Sequence, residues 1–184
     1  MKTNPGMRAS GTNHMLPRPN HDHIQGPVDA PIALVEYGDY ECPFCGDAYP
    51  IVKAIQERLG EGLCFAFRNF PLVNSHPHAE HAAESAEAAG AQQKFWEMHD
   101  LLYENQDRLD DELLVELAQA LHLVPAQLLK ALETKEFQPR VRADFSAGAR
   151  SGVNGTPTFF INGQRHDGSY DFASLVEAID LVLE

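Results

Sequence analysis

Ile32-Ala-Leu-Val-Glu-Tyr-Gly-Asp-Tyr-Glu-Cys-Pro-Phe-Cys45 decides the fold. Its first six residues form a short apolar, partly β-branched run, the signature of a buried strand. Gly38 and Asp39 end that strand, and Cys42-Pro-Phe-Cys45 follows at once. Beyond it, Tyr49, Ile51, Val52, Ile55 and Leu59 recur at helical spacing, which predicts a helix from about Pro43 to Leu59. Pro43 suits a first helical turn, where its missing N–H has no intrahelical partner to lose. Pro50 falls inside the helix and is expected to kink it. Gly60 and Gly62 stop it, and Leu63-Cys-Phe-Ala-Phe-Arg-Asn-Phe70 returns as a second strand. Strand, helix and strand in this order form the unit of a parallel pair, so the fold class is α/β.

Outward from this unit the pattern changes. Residues 79–151 carry helical signals and no convincing strand. They include an Ala- and Glu-rich stretch, a stripe of Phe95, Met98, Leu101 and Leu102, and a helix opened by Asp110-Asp-Glu. Pro125 opens another helix, and Gly90 marks a break between two. Thr158-Phe-Phe-Ile161 then reads as a strand, Asn162-Gly163 as a hairpin turn, and Gln164 to Asp167 as an edge strand. Asp171 caps a last helix whose apolar face carries Phe172, Leu175, Val176, Ile179 and Val182. The expected organisation is a tail without order over residues 1–27, an α/β core over 28–71 and 151–184, and an inserted helical domain over 72–150. The tail assignment rests on the Pro, Gly, Asn, His and Ser content of residues 1–25.

The chain has 184 residues, enough for one domain with a core and an insertion. A hydrophobic fraction of 43% with 22% charged residues is that of a soluble globular protein. No apolar run is long enough to cross a bilayer. The net charge of −13 excludes non-specific binding to nucleic acid, because phosphates are repelled. Three cysteines, Cys42, Cys45 and Cys64, do not make a disulfide framework.

The chemistry lies in Cys42-Pro43-Phe44-Cys45. The nucleophile of disulfide exchange is a thiolate, and a helix N-terminus offers it free N–H donors and the positive end of the dipole. Cys42 is therefore expected to be the exposed, low-pKa attacking sulfur. Cys45, one turn further on, is expected to be more buried and to resolve the mixed disulfide. A structural zinc is the rival reading, but it needs two further ligands, which only Cys64 and a histidine could supply. Glu36 sits in the strand just before the motif. It reads either as an outward-facing residue or as a buried carboxylate beneath Cys45, with a raised pKa, that accepts a proton as the second thiol reacts. Gly155-Thr156-Pro157 immediately precedes a strand. Its proline is cis or trans on sequence grounds, and a cis bond would turn the Thr156 backbone toward an extended substrate.

These motifs, with Phe70-Pro-Leu72, His76-Pro77, Lys94-Phe-Trp-Glu-Met-His-Asp-Leu-Leu102 and Gly155-Thr-Pro-Thr-Phe-Phe-Ile-Asn-Gly163, resemble the DsbA-like branch of the thioredoxin superfamily. The resemblance runs from Val28 to Leu183. It implies a thioredoxin-like fold with an inserted all-helical domain, Cys42 as nucleophile and Cys45 as resolving thiol. It places Glu36 at the family's buried acid position, Pro157 as a cis-proline facing the site, and Thr156 beside it as a residue that tunes the thiolate and contacts substrate. Phe44 occupies one of the two intervening positions that tune the redox potential, and Pro43 and Phe44, with Thr156 and Pro157, are the expected substrate-binding residues. It further implies a redox-active Cys42–Cys45 disulfide with no added cofactor and no metal. The expected partners are proteins or low-molecular-weight thiols carrying thiols or disulfides, together with a recycling redox partner.

Two features depart from the family. Residues 1–25 show no apolar run of the signal-peptide kind, which points to the cytoplasm, with an extracytoplasmic site as the alternative if a leader is missing from this sequence. A cytoplasmic glutathione pool tends to keep such a pair reduced, so reductase roles stand beside protein oxidation. Cys64 matches no motif and reads as a small buried hydrophobe. A redox-sensing interaction module and a glutathione-dependent transferase or isomerase of related fold are the functional alternatives. His76, His78 and His81, and His21-Asp22-His23, have spacings that could bind a metal but read more simply as loop and tail residues.

Overall fold

Alternation sets the sheet. Along β2 (Ile32–Gly38), Ile32 and Leu34 face one side while Val35 and Tyr37 face the other, and both sides are covered. The computed structural model describes residues 13–184. Five strands, β1 (His23–Gln25), β2, β3 (Leu63–Asn69), β4 (Thr158–Ile161) and β5 (Gln164–Arg165), form one mixed sheet in the order β1-β3-β2-β4-β5. The β2–β3 pair is parallel and is joined by α1 (Pro43–Leu59); the other pairs are antiparallel. Glu36 lies opposite Phe67 on one side and Phe159 on the other.

Between β3 and β4 run five helices: α2 (Ala79–Gly90), α3 (Phe95–Glu104), α4 (Asp111–Ala120), α5 (Pro125–Thr134) and α6 (Gln138–Arg150). Their apolar stripes join one core with α1 and the Ile32/Leu34/Phe67 face of the sheet, so no separate core divides them from the α/β layer. The opposite face carries a smaller core of Met15, Val35, Tyr37, Ala66, Phe70, Val153 and Phe160. Asp110 caps α4 by accepting from Leu113 N–H at 2.9 Å, and Asp171 caps α7 (Phe172–Leu183) by accepting from Ser174 N–H at 3.0 Å. Asn162 and Gly163 take φ of 46° and 82°, as the tight turn between β4 and β5 requires.

Four expectations are revised. Residues 13–27, expected without order, include β1 paired antiparallel to β3, while residues 1–12 lie outside the described residues. The cause is tertiary. Arg68, fully buried in β3, donates to the Asp22 carboxylate at 2.6 and 3.0 Å and to the His14 and Leu16 carbonyls at 2.6 and 2.9 Å. The edge strand after the hairpin is two residues long rather than four. On α7 only Leu175 and Ile179 are buried; Phe172 and Val182 are exposed, because a single stripe of this helix meets the core. Helix α1 runs unbroken through Pro50.

Candidate active site

The end of β2 and the start of α1 position the two cysteines. Cys42 is the N-cap residue of α1, with extended backbone (φ −74°, ψ 120°), and Pro43 follows in the first turn. The Cys42 carbonyl accepts from the N–H groups of Cys45 and Gly46 at 3.0 and 3.1 Å. Both cysteines are thiols, and Cys45 is 0% exposed as expected; Cys42, expected to be exposed, is only 3% exposed, because the Thr156 backbone lies against its sulfur.

The two sulfurs are held in opposite protonation states. A hydrogen bond from the Cys45 thiol pulls the Cys42 pKa down to about 5, against the opposing effect of burial. Thr156 also lowers it, and the backbone N–H groups of Cys45 and Phe44 add to the effect; the Thr156 hydroxyl is buried and has no hydrogen-bond partner. Cys42 Sγ lies 3.5 Å from the Thr156 carbonyl oxygen. Burial pushes the Cys45 thiol well above its ordinary range, and its donation to Cys42 and the nearby Glu36 carboxyl push it further.

Glu36 is 2% exposed, and its Oε1 has no hydrogen-bond partner. Burial raises its pKa to about 8, and a Cys42 thiolate contributes in the same direction. The carboxyl is therefore largely protonated at neutral pH. The Thr156–Pro157 bond is cis and places Thr156 against Cys42. Pro43 and Phe44 are exposed at the mouth of the site, Phe44 at 58%. The structure thus brings together all seven residues singled out in the sequence. Cys64 stands apart, 1% exposed in β3, with its thiol pKa raised by burial and therefore a poor nucleophile.

Sequence reasoning missed the residues that brace this turn. Asp39, read only as a strand terminator, accepts Cys42 N–H on its carbonyl at 3.2 Å and donates its own N–H to Cys45 Sγ at 3.5 Å. Gln106, after α3, donates through Nε2 to the carbonyls of Tyr40 and Cys42 at 2.8 and 2.7 Å. A Cβ at Gly46 would lie 2.1 Å from Gln106 Oε1, so glycine is what lets the helical insertion approach the helix start this closely. The Asx-like position of Asp39 was a local signal; Gln106 offered none.

His76 and His81 each pair with a carboxylate, Asp39 at 2.8 Å and Asp111 at 2.6 Å. Among the described residues, the one cluster with metal-ligand spacing is His21, Asp22 and Asp144. Both of its carboxylates are already neutralised by arginines, Asp22 by Arg68 and Asp144 by Arg140 at 2.6 Å.

A dithiol at a helix N-terminus beside a cis-proline, on a mixed sheet with a helical insertion, is the arrangement of a thioredoxin-like fold with a redox-capable Cys-x-x-Cys motif. The chain belongs to the thioredoxin family, whose model, described as Thioredoxin, matches residues 19–181. Oxidised BdbD from Bacillus subtilis superposes with a TM-score of 0.82 at 26% identity, covering 91% of this chain and 96% of that one. Alpha-DsbA1 from Wolbachia pipientis shares the fold, with a TM-score of 0.81 at 23% identity, over 94% of this chain and 96% of that one. Among curated proteins, the Na(+)/H(+) antiporter NhaA 1 of Salinispora arenicola (strain CNS-205) is 44% identical over 161 residues, which is 88% of this chain and 24% of that protein. The Na(+)/H(+) antiporter NhaA of Herminiimonas arsenicoxydans is 35% identical over 162 residues, 88% of this chain and 26% of that protein. The chain thus spans about a quarter of the length of the curated relatives it matches. Proteins of the DsbA-like class carry their redox equivalents on their own dithiol and need no added cofactor. None of the described helices is long and apolar enough to cross a membrane.

Proposed function

We propose that this chain exchanges disulfides with thiol- or disulfide-bearing proteins or small thiols, with Cys42 as nucleophile and Cys45 as resolving thiol. The observation that carries the reading is the placement of two thiols on the first turn of α1, Cys42 as its N-cap against Thr156 and Cys45 fully buried behind it, with pKa values driven in opposite directions. In the reducing direction, the Cys42 thiolate attacks a substrate disulfide, forms a mixed disulfide and expels one substrate thiolate. Cys45 then gives up its proton, attacks Cys42 Sγ and releases the second substrate thiolate. The protein loses two electrons and the substrate gains them. The oxidising direction is the same sequence reversed. Glu36 is the proton acceptor for Cys45: once Cys42 is tied up in the mixed disulfide its thiolate no longer raises the Glu36 pKa, so the carboxyl ionises more readily at the step that needs a base. Thr156 and Pro157, with Pro43 and Phe44, form the surface on which an extended substrate lies.

A thiolate stabilised in this way favours the reduced dithiol, and so makes the disulfide an oxidant. The reading therefore favours protein oxidation and an extracytoplasmic setting over the cytoplasm, with a separate partner re-oxidising the pair. Disulfide chemistry, rather than the sodium–proton exchange for which the curated relatives are named, is assigned to this chain, since it matches only a quarter of their length. Equilibration in graded glutathione buffers tests the direction. A potential near about −120 mV supports the oxidant, and one near about −270 mV a reductase. Failure to form the Cys42–Cys45 disulfide at any poise removes the reading altogether.

Two pH-dependent results are expected. The ultraviolet absorbance of the thiolate in the reduced protein should titrate with a midpoint near 5, and it should vanish in Cys42→Ser. The folded pKa of Cys42 is depressed, so its contribution to stability is present above the unfolded value of about 9 and is lost as pH falls through about 5. The reduced protein should therefore gain stability as pH rises across that window. Glu36 has the opposite sign. Its folded pKa is raised, so its contribution is complete below about 4.5 and is lost as pH rises through about 8. Glu36→Gln should flatten that fall in denaturation measured against pH. It should also slow the second step by about a hundredfold in stopped-flow assays. A resolving step of unchanged rate would remove Glu36 from the mechanism.

A further inference from the structure

The exchange mechanism leaves one buried carboxylate beside the dithiol without a role. The Asp39 side chain is fully buried and accepts three hydrogen bonds, from Glu41 N–H at 2.8 Å, Leu72 N–H at 2.7 Å and His76 Nδ1 at 2.8 Å. Its backbone holds Cys42 N–H and reaches Cys45 Sγ. One residue thus joins the cysteine turn to the loop after β3, and it fixes the ring of His76, whose side chain is 18% exposed. We propose that Asp39 is a positioning residue that ties the His76 ring to the cysteine turn, so that a proton on His76 sets how strongly the reduced dithiol is favoured.

The inference rests on the exchange reading of the same site and adds a proton to it. Asp39 is in contact with the His76 ring, and the charges of Cys42 at the start of α1 and Glu41 on the turn after β2 also act on it. All three are negative when ionised. Burial opposes charge on the ring, but the hydrogen bond and charge of Asp39 outweigh it, with Cys42 and Glu41 adding to the effect. The Cys42 contribution exists only while that sulfur is a thiolate. Oxidation to the disulfide removes it, so His76 should bind its proton less tightly in the oxidised protein. By reciprocity, loss of the imidazolium should weaken the thiolate by the same factor.

The test uses the full chain and two readouts that a purely structural tie would not move. Nuclear magnetic resonance titration of the His76 ring is expected to give a higher midpoint in the reduced than in the oxidised protein. His76→Asn is expected to raise the Cys42 midpoint by about one pH unit, a tenfold loss of thiolate stability, and to lower the dithiol potential by about 30 mV. Asp39→Asn should shift Cys42 in the same direction, and the double variant should shift it no further than Asp39→Asn does. If Asp39→Asn does not fold, the His76 variant and the ring titration decide the matter. Equal His76 midpoints in both redox states, with an unmoved Cys42 in His76→Asn, overturn the inference while leaving disulfide exchange intact. A parent chain that forms no Cys42–Cys45 disulfide overturns the exchange reading itself.

Discussion

Cys45→Ser should accumulate a covalent substrate–protein adduct on Cys42, whereas Cys42→Ser should lose turnover by about a thousandfold or more. The asymmetry follows from the geometry. Cys42 is the ionised sulfur at the helix start, next to exposed Pro43 and Phe44, so substrate reaches it first. Cys45 is fully buried, kept protonated, and able to attack only a sulfur already attached to Cys42. Without Cys45 the first step proceeds and the second has no nucleophile. Without Cys42 the first step has none, since a serine hydroxyl does not ionise in this range. Cys45→Ser also removes the hydrogen bond that contributes most to the low Cys42 pKa if the hydroxyl donates less well. Its thiolate absorbance should therefore titrate at or above the parent midpoint, never below it. Non-reducing electrophoresis with a disulfide-bearing peptide separates the cases. An adduct on Cys42→Ser through Cys45 would reverse the two roles.

The parts of this site that were legible in the sequence are those written locally. Pro43 after Cys42 at the start of an apolar helical period fixes a cap and a first turn, and the helix spans Pro43–Leu59 as the period predicts. Glu36 was legible only as one of two possibilities, outward-facing or buried, and its place beside Leu34 on the face that meets α1 was settled by the packing of the sheet. What was not legible depends on partners remote in the chain. The Asp39 carboxylate meets Leu72 and His76, 33 and 37 residues on, and Gln106 reaches the Cys42 carbonyl from 64 residues away. No periodicity records such pairs. The same holds for residues 13–27, whose polar composition argues for a free tail while the buried Arg68 guanidinium, pairing of β1 with β3 and Met15 in the smaller core hold them on the sheet.

That guanidinium carries the largest stability effect expected outside the site. Arg68 and Asp22 are both fully buried at their side chains and meet through two hydrogen bonds, with Tyr37 Oη a further acceptor for Arg68 at 3.1 Å. Removing one partner leaves an uncompensated charge in a low-dielectric interior, so Asp22→Ala should cost about 3–5 kcal/mol in urea denaturation. Replacing both by apolar residues of similar volume should cost less than either single change, because the desolvation penalty disappears with the pair. The pH dependence has a definite sign. Burial works against the Asp22 carboxylate, but the hydrogen bond and charge of Arg68 outweigh it and hold its pKa below the ordinary 3.8. Its contribution is therefore present above that value and is lost as pH falls through the depressed one. Asp22→Asn should remove this acid-side slope as well as lower stability at neutral pH. Since β1 pairs with β3 through residues 23–25, the same variants should speed hydrogen exchange at those amides before the central β2–β3 pair is affected. Uniform exchange across all three strands would mean that the segment folds as one unit with the core rather than being fastened to it by Arg68.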